Sequence, residues 1–451
     1  MVGEAVEGAV SGGVSRSAAT KLAVLSVLYF AQGLPFGFFS QSIPVLMRQG
    51  GASLLAVSAS NLLALPWVLK ALWAPLFDRA GLSNPRARRW TILGLQAGSA
   101  LLLLTAMGFD PAQSAVAVGI LVVLSNLLSA TQDIPTDATT VETLGPELRG
   151  LGNGAQVAGY RLGMVVGGGV MLAVLEDRGW AFTVGLLAVA MLVTAIPLLI
   201  AGPLARGEEL GSSQGLIYPS PALREKVPAS SRADEGRSTS PGSPHPPPGT
   251  AAPSPGGRRG KPELGTAGGV VYPSPENRSW LGVLVIYKLG DAFGTGSIRP
   301  MLVDFGFDLS DIGWLLGTLG SGAAVTGSLL GGVLVTRLAR PLPAFALFQA
   351  CGLGLWVIAA QLQTTPWVAI AVTLEHFTSG MATTALFTAM MSRCRPDRAA
   401  SDYATQASTV LVAQGVAAIL SGGSAELFGY TGHLMLGTVL AVIAVGVVSR
   451  R

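Results

Sequence analysis

Twelve apolar runs, each long enough to cross a lipid bilayer as a helix, constrain this chain more than any other feature. A hydrocarbon core takes about 20 helical residues. Runs of that kind cover residues 22–47, 54–77, 90–107, 112–137, 152–175 and 181–201. After a polar gap come 280–303, 311–337, 342–362, 367–391, 403–428 and 434–448. Only 12% of the 451 residues are charged, against roughly a quarter in an average soluble domain. With 59 glycines, the helices have many places where backbones can approach closely. The chain is therefore expected to be an all-α membrane protein.

The gap between the sixth and seventh runs differs in kind. Residues 203–278 are rich in Pro, Ser and Gly and cannot bury enough apolar surface to offset their ordering entropy. They are expected to form a disordered cytoplasmic linker, and residues 1–20 a disordered tail. Two six-helix bundles, 21–202 and 279–451, would flank the linker. Short loops on one side carry fourteen basic residues and those on the other only Arg48 and Arg178. Basic residues mark the cytoplasmic side, so both termini are placed there and the Asn277 sequon is expected to be silent. The basic clusters interrupt apolar runs rather than forming one face, which argues against a nucleic-acid partner. Cys351 and Cys394, with His245, His376 and His433, are too scattered to hold a metal. No cofactor is implied.

Ionisable groups are costly inside a membrane helix and face the bundle interior or a wet cavity. Those lying well within the runs are Asp133 and Asp137 in the fourth, Lys288 and Asp291 in the seventh, and Glu375 with His376 in the tenth. Gln132 accompanies the aspartates, and Gln32 and Gln41 lie in the first run; these three and Arg161 are expected to line the substrate cavity. Asp133 and Asp137 are four residues apart and share a helix face, where two like charges cannot both ionise cheaply. That suits a carboxyl that loads and releases a proton. Arg161 in the fifth run is expected to pair with Asp133. Lys288 and Asp291, one turn apart, can neutralise each other or contact a substrate or proton. Glu375 beside His376 can be a second protonation site or a structural pair. Lys70 is expected to extend its ammonium to the cytoplasmic surface. Trp67, Trp73 and Trp280 read as packing residues.

The first, fourth, seventh and tenth runs are the leading members of four three-helix units. In the major facilitator architecture those helices line the central cavity. Two basic loops, Asp78-Arg79 after the second run and Gly331-Gly332 to Arg337 after the eighth, resemble the cytoplasmic gate loops of that superfamily. Duplicated halves are the mark of alternating access. A faint repeat is visible between Tyr29 and Tyr287 and between Gln156 and Gln406.

Specific stretches carry a narrower resemblance. Gln132-Asp-Ile-Pro-Thr-Asp137-Ala, Glu147-Leu-Arg-Gly, Gly159-Tyr-Arg-Leu-Gly-Met164 and Tyr287-Lys-Leu-Gly-Asp291-Ala-Phe resemble the AmpG muropeptide permeases. Gln32-Gly-Leu-Pro-Phe and Leu69-Lys-Ala-Leu-Trp-Ala-Pro-Leu-Phe-Asp78 are similar also to acetyl-CoA transporters and to major facilitator domain-containing protein three. The resemblance implies a major facilitator fold with twelve transmembrane helices. It implies a proton-driven importer, monomeric, in a bacterial inner membrane, with anhydromuropeptide as the leading substrate and acetyl-CoA or a drug as the alternative. Asp133, Asp137, Arg161, Lys288 and Asp291 are the functional positions it carries over. An enzyme is not expected, because no acid/base or metal set occupies a water-facing loop. A sensor that keeps the fold without transport is the remaining rival.

Overall fold

A computed structural model describes residues 16–49, 65–79, 84–111, 113–204, 275–395 and 397–450. Helices and the turns between them account for these residues, with no strand among them. The expected linker lies almost wholly outside the described residues, as do residues 54–64 of the second run.

In the first half, α1 is Arg16–Gln49 and begins inside the stretch expected to be a disordered tail. The described part of α2 is 65–79, with a tight turn at Lys70–Leu72. Helix α3 is Pro85–Ala106, and α4 is Ala115–Thr143. Pro85 opens α3 and the side chain of Asn84 caps it by accepting from the Arg86 N–H, which satisfies a first-turn donor. Residues 146–201 run as helix except at Gly179, whose φ of 77° reverses the chain. This divides α5 (146–178) from α6 (180–201). The second half repeats the device. Its helices are α7 (Pro275–Thr295, continued by Ile298–Asp304), α8 (309–334), α9 (Pro341–Leu362) and α10 (Thr365–Met391). Gly429, with φ 65°, then separates α11 (399–428) from α12 (430–449). An L-residue with a side chain pays a steric cost at such φ, so glycine stands at both reversals.

Among the described residues seven helices are long and apolar enough to cross a bilayer, and two of them double back at these glycines. Helices α3 and α10 occupy the third and tenth expected runs. Large apolar side chains such as Ile200, Ile419 and Leu427 are bare on the outer surface, where a bilayer would cover them. Inside, α1 and α5 meet through glycines. A Cβ on Gly159, Gly163 or Gly167 would strike the backbone of Ser26, Phe30 or Leu34. Such small-residue contact supplies packing where water gives no drive.

The halves join at one end of the bundle. A Cβ on Gly150 would lie 2.5 Å from the Gly332 carbonyl, and one on Gly154 would lie 2.7 Å from the Ser328 carbonyl. Helices α5 and α8 therefore touch backbone to backbone. Asn153 of α5 reaches Met391 of α10. Asp78, ending α2, accepts from the backbone N–H groups of Ala400 and Ser401 at 3.2 and 2.9 Å and from the Ser401 hydroxyl. These N–H groups open α11, where a carboxylate is favoured by the helix dipole. All of these contacts fall at the end carrying the basic loops.

Candidate functional site

The fourth helix supplies the polar face of the first half. Pro135 interrupts its hydrogen-bond ladder between the two aspartates. The hydroxyls of Thr136, Thr139, Thr140 and Thr143 bond back to carbonyls one turn earlier at 2.7–2.9 Å. Such back-bonding satisfies a buried hydroxyl on its own helix and leaves the carboxylates to be met by other helices. Lys70 meets both. Its ammonium pairs with Asp133 and lies 3.4 Å from Asp137 Oδ2. Tyr29 of α1 donates to Asp137 Oδ1 at 2.8 Å and lies 3.1 Å from Thr140. All four ionisable or phenolic groups are buried.

Lys70 thus corrects the sequence expectation. It does not extend to the surface but is 2% exposed, because two carboxylates one turn apart concentrate negative charge that a buried cation compensates. The expected Arg161–Asp133 pair is likewise replaced, since Lys70 holds Asp133. A lone lysine inside an apolar run was the available signal. The missing information was which helix faced it.

In the second half Lys288 Nζ lies 3.1 Å from Asp291 Oδ2, joining the two on one helix face. Ser379 of α10 donates to the same carboxylate at 3.5 Å, and Gln349 of α9 donates to Ser379 at 3.4 Å. Sequence reading gave neither Ser379 nor Gln349 a role, and buried neutral residues of that kind carry little periodic signal. Glu375 is buried, with its Oε2 2.6 Å from His376 Nδ1, a close contact without the alignment of a hydrogen bond. The His376 ring packs against Gly320 of α8.

Gln32 and Gln132 are buried with no hydrogen-bond partner for their amides among the described residues. Gln41 lies on α1, but its side chain is outside the described residues. Of the expected gate residues, Asp78 bridges the halves. Arg79 and Arg337 are exposed and join no ion pair across the junction among the described residues. Tyr29 and Tyr287 occupy equivalent places, since Tyr287 of α7 donates to the Ala382 carbonyl of α10 at 3.3 Å just as Tyr29 of α1 reaches α4.

The fold has counterparts among solved structures. The human organic anion transporter MFSD10 (TETRAN) superposes with a TM-score of 0.64 at 14% identity, over 95% of this chain and 99% of that one. A bacterial homologue of the iron transporter ferroportin, in its outward-facing state, gives 0.61 at 13% identity, over 96% and 98%. The chain has the major facilitator fold. Its sequence relatives are narrower. The profile of the family described as acetyl-coenzyme A transporter 1 matches residues 21–179. The anhydromuropeptide permease of Escherichia coli K12 is 29% identical over 429 residues, covering 93% of this chain and 77% of the relative. A protein of Rickettsia conorii called putative transporter AmpG 4 is 22% identical, with 94% of each chain covered.

Proposed function

We propose that this transporter is a proton symporter that imports an anhydromuropeptide or a closely related solute by alternating access. One observation carries the reading. The Lys70–Asp133–Asp137 cluster sits where α2 and α4 meet α11 of the other half, beside buried Tyr403. A carboxylate that gains a proton there loses its hold on Lys70, and the energetic balance of the closed junction changes with it. A proton can shift the two states only by its differential affinity for them, and a group buried in one state and solvated in the other has such a difference. Binding of the solute between the halves would do the same from the other side of the cavity.

The basic loops favour a cytoplasmic closed end, and on that reading the conformation is outward-facing with both termini inside. Resemblance to the Escherichia coli permease favours a bacterial inner membrane and anhydromuropeptide. The match to the acetyl-coenzyme A transporter family makes acetyl-CoA the second substrate to try. The test is uptake of labelled anhydromuropeptide into proteoliposomes, with an inward proton gradient imposed and then collapsed. Gradient-driven accumulation that disappears in Asp133→Asn supports both the substrate and the coupling site. A correctly inserted protein that accumulates nothing removes muropeptide and turns the same assay to acetyl-CoA.

A further inference from the structure

Arg161 differs from the fully buried cations Lys70, Lys288 and Arg88. Lys70 has Asp133 and Asp137, Lys288 has Asp291, and Arg88 has Glu142 at 2.6 Å. Arg161, half-buried on α5, makes no ion pair within 4.0 Å among the described residues. Its expected partner is already taken by Lys70.

The helix that carries Arg161 fixes where it points. Gly150 and Gly154 touch the α8 backbone of the second half. Arg161 is seven residues beyond Gly154, two turns along on the same helix face. It therefore faces the second half at the level where the glycine contact has ended and the halves can part. The acidic groups that act on it are Glu375 and Asp291, both of the second half. Each of these already has a basic neighbour on its own helix, His376 and Lys288. Arg161 is thus a guanidinium inside the bundle, drawn toward the opposite half without a counter-ion of its own.

A guanidinium in such surroundings has five donors and a charge to satisfy. It pairs strongly with carboxylates and phosphates through parallel hydrogen bonds. We propose that Arg161 is the docking point for an anionic group of the transported solute, a carboxylate or a phosphate ester. The inference rests on the transporter reading above and adds a chemical class to its substrate. Docking also couples binding to movement. An anion on Arg161 screens its attraction to Glu375 and Asp291 across the cavity, so cargo changes the force between the halves. Neutral solutes of the same shape would lack both effects.

The experiment titrates the purified full-length protein in nanodiscs with three labelled probes. These are anhydromuropeptide, the same fragment with its carboxyls esterified, and acetyl-CoA. The wild type should prefer the acid to the ester. Arg161→Gln should weaken the acid by roughly tenfold or more and leave the ester unchanged, while Arg161→Lys restores part of the preference. Acetyl-CoA binding that depends on Arg161, with no binding of muropeptide, would uphold the anion site and sink the muropeptide reading alone. Equal binding of acid and ester, equal loss of both in Arg161→Gln, or failure of both anions to bind would overturn the inference.

Discussion

Lys70 Nζ and Asp137 Oδ2 stand 3.4 Å apart in a site closed to solvent, with Asp133 on the same ammonium. Removing one member of a buried charge group leaves the others uncompensated, which costs about 3–5 kcal/mol. Lys70→Ala should therefore lower the melting temperature of the detergent-solubilised protein sharply. Lys70→Met combined with Asp133→Asn and Asp137→Asn removes the charges together and should recover much of that loss. A triple variant no more stable than Lys70→Ala would show that the cluster does not hold the fold by charge compensation.

Asp78 ties the two halves through the first N–H groups of α11. Hydrogen bonds to a charged acceptor contribute about 1.5–3 kcal/mol each. Asp78→Ala should shift the population toward opening at the basic-loop end by at least roughly tenfold. Cys394 reports this directly. Burial pushes its thiol above the ordinary range, so it reacts slowly with a water-soluble maleimide, because the thiolate is the nucleophile. Labelling of Cys394 in a Cys351→Ser background should accelerate in Asp78→Ala. An unchanged rate would mean that Asp78 does not hold the junction.

The close contact of α5 with α8 gives a steric test. A Cβ on Gly154 would lie 2.7 Å from the Ser328 carbonyl, which is backbone and cannot rotate away. Gly154→Ala should separate the helices and cost about 1–3 kcal/mol. Gly422→Ala, where a Cβ meets nothing within 4 Å, should be neutral or mildly stabilising. Thermal unfolding of the two variants in parallel separates the junction from a general effect of losing glycine.

Tyr430, just past the Gly429 reversal, donates to Asp304. Burial, first, and then that carboxylate push its phenol up to about 12. A folded-state pKa above the unfolded value stabilises the protein fully below the unfolded value, near 10, and the stabilisation is lost as pH rises through about 12. Wild type should lose stability across that alkaline interval relative to Tyr430→Phe. Parallel curves for the two proteins would show that the contact is not present in solution.

The first-half carboxylates were legible because Asp133 and Asp137 need only helical spacing to share a face. Their cation was not legible, since Lys70 comes from α2, 63 residues before Asp133. Snorkelling was the economical expectation for a lysine without a known partner. Arg161 failed for the same reason in reverse. Matching depth on neighbouring helices made Asp133 a sensible partner, but rotation about the α5 axis turns the arginine toward the second half. Gly154 and Gly332 likewise read as ordinary membrane glycines until two backbones were seen to touch.

By itself the sequence determined that the chain is a bundle of membrane helices in two matching halves with charge buried in α4, α7 and α10. Apolar length and helical period are local properties, and the bilayer's demand that backbone groups be bonded within each segment turns them into architecture. Only the tertiary structure decided which charge meets which and where the halves touch. Those outcomes depend on the rotation and depth of separate helices, set by packing of small residues against one another, and no periodicity within a single helix encodes them.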